Sequence, residues 1–218
     1  MKKLARISTK TIHFLIFALS SLPFNHTYAT ALDVNINTSA IQGASGEIVF
    51  DFISGGNTLY NSAGISAFNT DGTLGASTTQ GDAVGLLPST VTLDTQSNLF
   101  NELAQNITFG ANIAFALNFT QNAPDSTALP DAFSVFLLNN SGNTVPNTTD
   151  PTASNALFLF NIDGSSTGNL ITYSSLDQPI TWQVATVPIP ATLLLFSSGL
   201  IALVLHGKPL NKRTHSVS

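Results

Sequence analysis

Hydrophobic and polar residues alternate with a period of two along most of this chain, the spacing of strands with one face in a core. Leu32, Val34 and Ile36 alternate with Asp33, Asn35 and Asn37. Ile48, Phe50 and Phe52 line one face of a second segment, Val49 and Ile53 make its other face partly apolar, and Gly55-Gly56-Asn57 breaks it. Shorter strands are expected around Gly64–Asn69 and Thr90–Asp94, next to turn signals such as Asp71-Gly72 and Pro88. The clearest run is Ile107 to Phe119, whose odd positions read Ile107, Phe109, Ala111, Ile113, Phe115, Leu117 and Phe119. It predicts one long strand, bulged at Gly110. Ala132–Leu138 and Ala156–Ile162 are apolar on both faces and suit central strands, and Ile180–Val184 alternates again. Asn98–Gln105 is a candidate short helix. Roughly ten short strands without an amphipathic helix predict an all-β fold, an antiparallel β-sandwich with a jelly roll among the arrangements that fit.

The two ends depart from this pattern. Lys2, Lys3, Arg6 and Lys10 precede the apolar run Thr11–Leu22, and Ala29-Thr30-Ala31 follows with small residues at A-x-A spacing. That order predicts a secretory signal peptide over residues 1–31, cleaved after Ala31 or Ala29. Residues 32–186 then form the exported domain. Ala191–Leu205 is a second apolar run; as a helix it would be about 22 Å long, short against a hydrocarbon core of about 30 Å. A transmembrane segment is expected at about 190–206. Lys208, Lys212 and Arg213 behind it place 214–218 in the cytoplasm.

Charge sharpens the picture more than its net value of −5. No Lys, Arg or His lies between Ala29 and Val187, whereas all 12 carboxylates, from Asp33 to Asp177, do. Such a domain repels phosphate backbones, so nucleic-acid binding is excluded. It contains no cationic side chain for a salt bridge. The chain has no cysteine, which removes disulfides, thiol catalysis and Cys-based metal sites.

Little catalytic chemistry survives this inventory. Gly164-Ser165-Ser166-Thr167-Gly168 matches the nucleophile-elbow pattern, but the domain has no His or Lys to act as base, so a turn is the expected reading. Glycoside hydrolysis needs only two carboxylates, for which Glu47, Asp51 and Glu102 are candidates, yet nothing in the sequence pairs any two of them. Asn161 and Asp163 open a segment resembling a calcium loop without its later ligands, so Ca²⁺ is the only cofactor entertained, against a plain turn. A lectin-like surface would draw on Tyr60, Tyr173 and Trp182, although Trp182 alternates in phase with Ile180 and Val184 and reads as core. The expected protein is not an enzyme.

The order Val187-Pro188-Ile189-Pro190, then an apolar run containing Leu195-Phe196-Ser197-Ser198-Gly199-Leu200, then Lys212 and Arg213, resembles the PEP-CTERM sorting signal of Gram-negative and related bacteria. Ile189 stands where the naming motif has Glu, as in the V-P-x-P subtype. Val34–Ser39, Ile48–Phe52, Thr70–Gly75, Pro130–Ser134 and Asp150-Pro151 resemble one group of such proteins without an assigned activity. The resemblance, over 187–213, implies recognition by an exosortase and processing near Pro188 and Pro190. The product would pass through the inner membrane to the cell surface, envelope or exopolysaccharide (biofilm) matrix. A structural or adhesive role there is the expectation. The alternative is a carbohydrate-binding module, with or without Ca²⁺, that contacts envelope glycans.

Overall fold

A computed structural model describes residues 28–165 and 167–187. The expected signal-peptide core, the transmembrane stretch 190–206, the end 214–218, and Pro188, Pro190, Phe196, Gly199, Lys212 and Arg213 lie outside the described residues. So does Ser166.

Twelve strands are formed: β1 (Tyr28–Asn37), β2 (Ser45–Ile53), β3 (Ser62–Thr70), β4 (Thr73–Gln80), β5 (Ala83–Gly85), β6 (Val91–Asp94), β7 (Phe100–Thr108), β8 (Asn112–Gln121), β9 (Asp131–Asn139), β10 (Phe158–Ile162), β11 (Asn169–Thr172) and β12 (Thr181–Thr186). The only helical element among the described residues is a single 3-10 turn over Ser39–Ile41. The strands form two antiparallel sheets, ordered β12-β1-β8-β3-β6-β5 and β11-β10-β9-β2-β7-β4. β1 pairs with β8, β2 with β7 and β3 with β6, nested around the turn that joins β4 to β5. β9, β10 and β11 then extend the second sheet beyond β2, and β12 returns to the free edge of β1.

The sheets face each other across one apolar core, as their alternation requires. Leu32, Ile36, Ile65, Ile113 and Leu117 come from the first sheet, and Ile48, Phe52, Leu103, Val135 and Phe158 from the second; all are fully buried. Phenylalanines bridge the layers. Phe50 of β2 meets Phe115 of β8 edge-on at 5.2 Å between ring centroids. Phe119 of β8 stacks on Phe160 of β10 at 4.3 Å and meets Phe133 of β9 at 5.1 Å. Offset and edge-on rings at these distances add to the burial term.

Two expectations are corrected. Ile107–Phe119 is not one bulged strand: β7 ends at Thr108, the chain crosses to the other sheet, and β8 begins at Asn112. Phe109 and Ile113 are both buried, because the chain leaves one wall of the core and joins the other with the same side-chain phase inward. Period two records which face is apolar, not which sheet carries it. Thr38 and Asp71 clamp the crossing. The Thr38 hydroxyl donates to the Gly110 carbonyl at 2.8 Å, and the Asp71 carboxylate accepts from Ala111 and Asn112 N–H at 3.1 and 2.9 Å. A Cβ on Gly110 would lie 2.2 Å from Asp71 Oδ1, which is why glycine stands there.

The second correction concerns Asn98–Gln105, which is no helix. Its residues from Phe100 onward open β7, with Leu103 and Ile107 inward and Glu102 and Asn106 on the other face. Pairing with β2 and β4 on either side outweighs a weak local helical preference.

At the N-terminal edge, β1 begins at Tyr28 and so includes both alanines of the expected cleavage site. Ala29 pairs with Thr120 and Ala31 with Asn118. Thr30 is buried and accepts a hydrogen bond from Gln121 Nε2 at 3.0 Å.

Candidate functional site

With no cation available, the carboxylates of the loops are held by amide and hydroxyl donors instead. Asp131 is the centre of the largest such cluster. It opens β9 in phase with Phe133 and Val135 and is fully buried. Its carboxylate accepts from Gly55 N–H at 2.7 Å, Asn57 Nδ2 and Asn61 Nδ2 at 2.9 Å each, and the Thr95 hydroxyl at 3.0 Å. Buried charge is tolerated when each lone pair is met in this way. Asp131 thereby ties loops 54–61, 95–99 and 122–130 to one end of the sandwich.

Other acids tie one loop to another. Asp82 accepts from Ser97 and Asn98 N–H at 2.7 and 3.1 Å, Asp125 from Thr58 N–H at 2.8 Å, and Asp177 from Asn147 N–H at 3.0 Å. The amides of Asn112 and Ala111 hold the Asp71 carboxyl below its ordinary pKa. At Asp150 burial pushes upward, but hydrogen bonds from Ser154, Thr152 and Ala156 outweigh it, and the net shift is downward.

The calcium candidates are used in the same economy. Asp163 accepts from Ser165 N–H at 2.9 Å, and hydrogen bonding from Ser165 lowers its pKa. Asn161 lies on β10 opposite Asn169. Among the described residues no three His, Cys, Asp or Glu side chains gather in a group that could hold a metal ion. Gly164 and Gly168, at the two ends of the elbow-like sequence, take positive φ values of 79° and 64° in the β10–β11 turn.

Two of the glycosidase candidates do meet. Asp51 of β2 and Glu102 of β7 are direct cross-strand partners on the sheet face turned away from the core, whereas Glu47 pairs with Asn106. Burial first, then the charge and hydrogen bond of Glu102, raise the Asp51 pKa from 3.8 to about 7. Asp51 Oδ1 is buried without a hydrogen-bond partner. The pair can hold one proton near neutral pH. Its carboxyls touch, leaving no room between them for the glycosidic bond that paired catalytic carboxylates flank at about 5–10 Å.

The aromatic candidates divide. Tyr60 is exposed on loop 54–61, far from the other two. Tyr173 and Trp182 line one open depression of about 380 Å³, together with Ser175, Gln178, Pro179 and Ile180. The depression sits where the β11–β12 connection passes the two outer edges of the sandwich. Trp182 is half-buried and packs against the core, so the expectation that it packs inward holds in part. Burial, then the charge of Asp150, raises the Tyr173 pKa. Sequence spacing did not reveal this pairing, because Tyr173 lies in the β11–β12 connection, outside the alternation of either strand. Asp131, by contrast, could have been found from its phase with Phe133, Val135 and Leu137.

Val187 is the last described residue. Its N–H donates to Ala31 C=O at 2.9 Å, and its side chain is exposed. The first residue of the V-P-x-P segment thus bonds to β1 directly beyond the end of β12. No family model matches the chain, and neither a curated protein nor a solved structure matches it.

Proposed function

We propose that this chain is an exported bacterial protein of the cell surface or extracellular matrix, sorted by an exosortase through 187–213, with a structural or adhesive role and no catalysis of its own. The observation that carries this reading is the position of Val187, the first residue of that segment, directly beyond β12 at the outer edge of the sheet. A processing enzyme acting near the proline pair would approach from that open edge. The use of nearly every loop carboxylate as an internal acceptor further supports a scaffold over a reactive site. The test is mass spectrometry of the mature protein from an exosortase-bearing host. Loss of the segment beyond Pro190 is expected; mature protein ending at an intact Ser218 would overturn the reading.

The nested pairing of β1–β8, β2–β7 and β3–β6 supports a jelly roll as the finer description of the sandwich. Jelly rolls also serve as lectin domains, an analogy of fold alone. The Tyr173–Trp182 depression favours a second reading, a carbohydrate-binding module in the same location, with Ca²⁺ an optional aid. Flat aromatic rings beside Ser175 and Gln178 offer a sugar both an apolar face and hydrogen bonds. Trp182 is the only tryptophan of the chain, so its fluorescence reports the depression directly. Titration with envelope polysaccharides, with and without Ca²⁺, should shift its emission. A flat response across them would sink this second reading without touching the first.

A further inference from the structure

Strand directions put both exits of the domain at one end. β1 starts there at Tyr28, β12 finishes there at Thr186, and the pairing of Leu32 with Thr186 sets them side by side. The same end carries loops 54–61, 95–99 and 122–130. Those loops display large apolar side chains to solvent: Leu59 is 60% exposed, Tyr60 49%, Leu99 70% and Leu129 74%. Leucines so exposed on separate loops at one end are a group that calls for a partner.

The loop backbones that carry these side chains are tied to one another. Asp131 gathers the three loops as described above. Asn57 Nδ2 donates to Leu129 C=O at 3.1 Å, Asn122 Nδ2 to Tyr60 C=O at 2.7 Å, and Ser54 N–H to Leu99 C=O at 2.8 Å. A Cβ on Gly55 would lie 1.8 Å from the Leu129 carbonyl oxygen, so the first and third loops touch backbone to backbone.

The apolar run Ala191–Leu205 begins only four residues beyond Val187, a reach of about 13–14 Å for extended chain. If that run sits in a bilayer, this end of the sandwich must lie at the bilayer surface. We propose that it does, with Leu59, Tyr60, Leu99 and Leu129 dipping into the headgroup layer of a zwitterionic membrane. The inference rests on the membrane residence of the sorting tail before processing. Tyrosine and leucine are suited to that depth, with apolar bodies in lipid and the phenol in the wet interface. The lipid is uncharged overall because this end carries carboxylates such as Asp82, Asp125 and Asp163 and no cation, so anionic headgroups would be repelled. The Tyr173–Trp182 depression then faces away from the membrane, since the β11–β12 connection lies toward the opposite end.

The chain's lack of cysteine makes the test clean. Full-length protein is reconstituted into phosphatidylcholine vesicles with a single label at Leu59→Cys, Leu99→Cys, Leu129→Cys, Ser141→Cys or Leu195→Cys. Ser141 is exposed in the β9–β10 connection at the far end, and Leu195 reports the tail. Nitroxide lipids should quench the three loop labels at least about threefold more than the Ser141 label, as for groups about 5–10 Å into the interface. Aqueous iodide should show the reverse order. Loop labels as open to iodide as Ser141, with Leu195 quenched by lipid, would overturn the surface contact and leave the tail reading intact. An unquenched Leu195 label would instead overturn the tail reading, and loop labels quenched in that protein would support a lipid contact independent of the tail.

Discussion

Asp51 and Glu102 are direct partners across the β2–β7 ladder, and their proximity raises the Asp51 pKa to about 7, behind the larger effect of burial. Two carboxylates opposite one another on a sheet repel when both are ionised. Between its unfolded value near 3.8 and about 7, Asp51 keeps its proton in the fold and loses it in the unfolded chain. Stability therefore falls as pH rises through that window. Asp51→Asn should flatten the slope and stabilise the protein at pH 8 by about 1–3 kcal/mol, a range reduced for solvent screening. Urea unfolding followed by Trp182 fluorescence at several pH values is the measurement. Unchanged pH dependence in the variant would show that the pair is not coupled.

The opposite sign applies at lower pH. Asp71, Asp150 and Asp163 have lowered pKa values, so their contributions are full above 3.8 and fade as pH falls through the folded-state values. Combined with the Asp51 effect, the stability maximum should lie near pH 4–5 rather than at neutrality. A melting-temperature profile peaking at pH 7 or above would contradict this.

Asp131→Ala should be among the most damaging single substitutions. It leaves the donors of Gly55, Asn57, Asn61 and Thr95 facing an empty buried space. Loss of such a charged hub costs about 3–5 kcal/mol. Limited proteolysis should then cut loops 54–61 and 122–130 first. Asp131→Asn keeps the shape and part of the acceptor capacity, and should recover a portion of the loss.

Gly110→Ala tests the sheet crossing. The added methyl would collide with the Asp71 carboxylate and with the backbone nitrogen of Gly72, 2.4 Å away. Relief requires the Asp71 clamp to open, and a loss of about 2 kcal/mol or more is expected in urea unfolding. A neutral substitution would mean that Asp71 does not hold the crossing.

Salt should stabilise this domain. Its described residues carry carboxylates and no Lys, Arg or His, so screening removes repulsion without weakening any ion pair. Raising NaCl from about 20 mM to about 500 mM should increase the melting temperature by about 2–4 °C. A decrease would require attractive pairs that the sequence does not contain.

The regularity of the phenylalanine and isoleucine positions made the strands legible. Val34, Phe50 and Phe115 all face the core that their alternation announced. The absence of any His or Lys base from the domain was equally plain from the sequence. The division of Ile107–Phe119 between two sheets was not, because both halves keep one inward phase. Nor was the meeting of Asp51 with Glu102, remote in sequence, or of Tyr173 with Trp182, which the fold of the β11–β12 connection brings together.

The sequence by itself determined the all-β class and the unpaired acidity of the domain, since each is a local property of pattern or composition. Only the tertiary structure decided that β1 and β12 leave from one end, that Asp131 gathers three loops, and that Leu59, Leu99 and Leu129 stand together there. Strand register and loop closure set those relationships. Both depend on pairings across the whole chain, which a period of two along one strand does not encode.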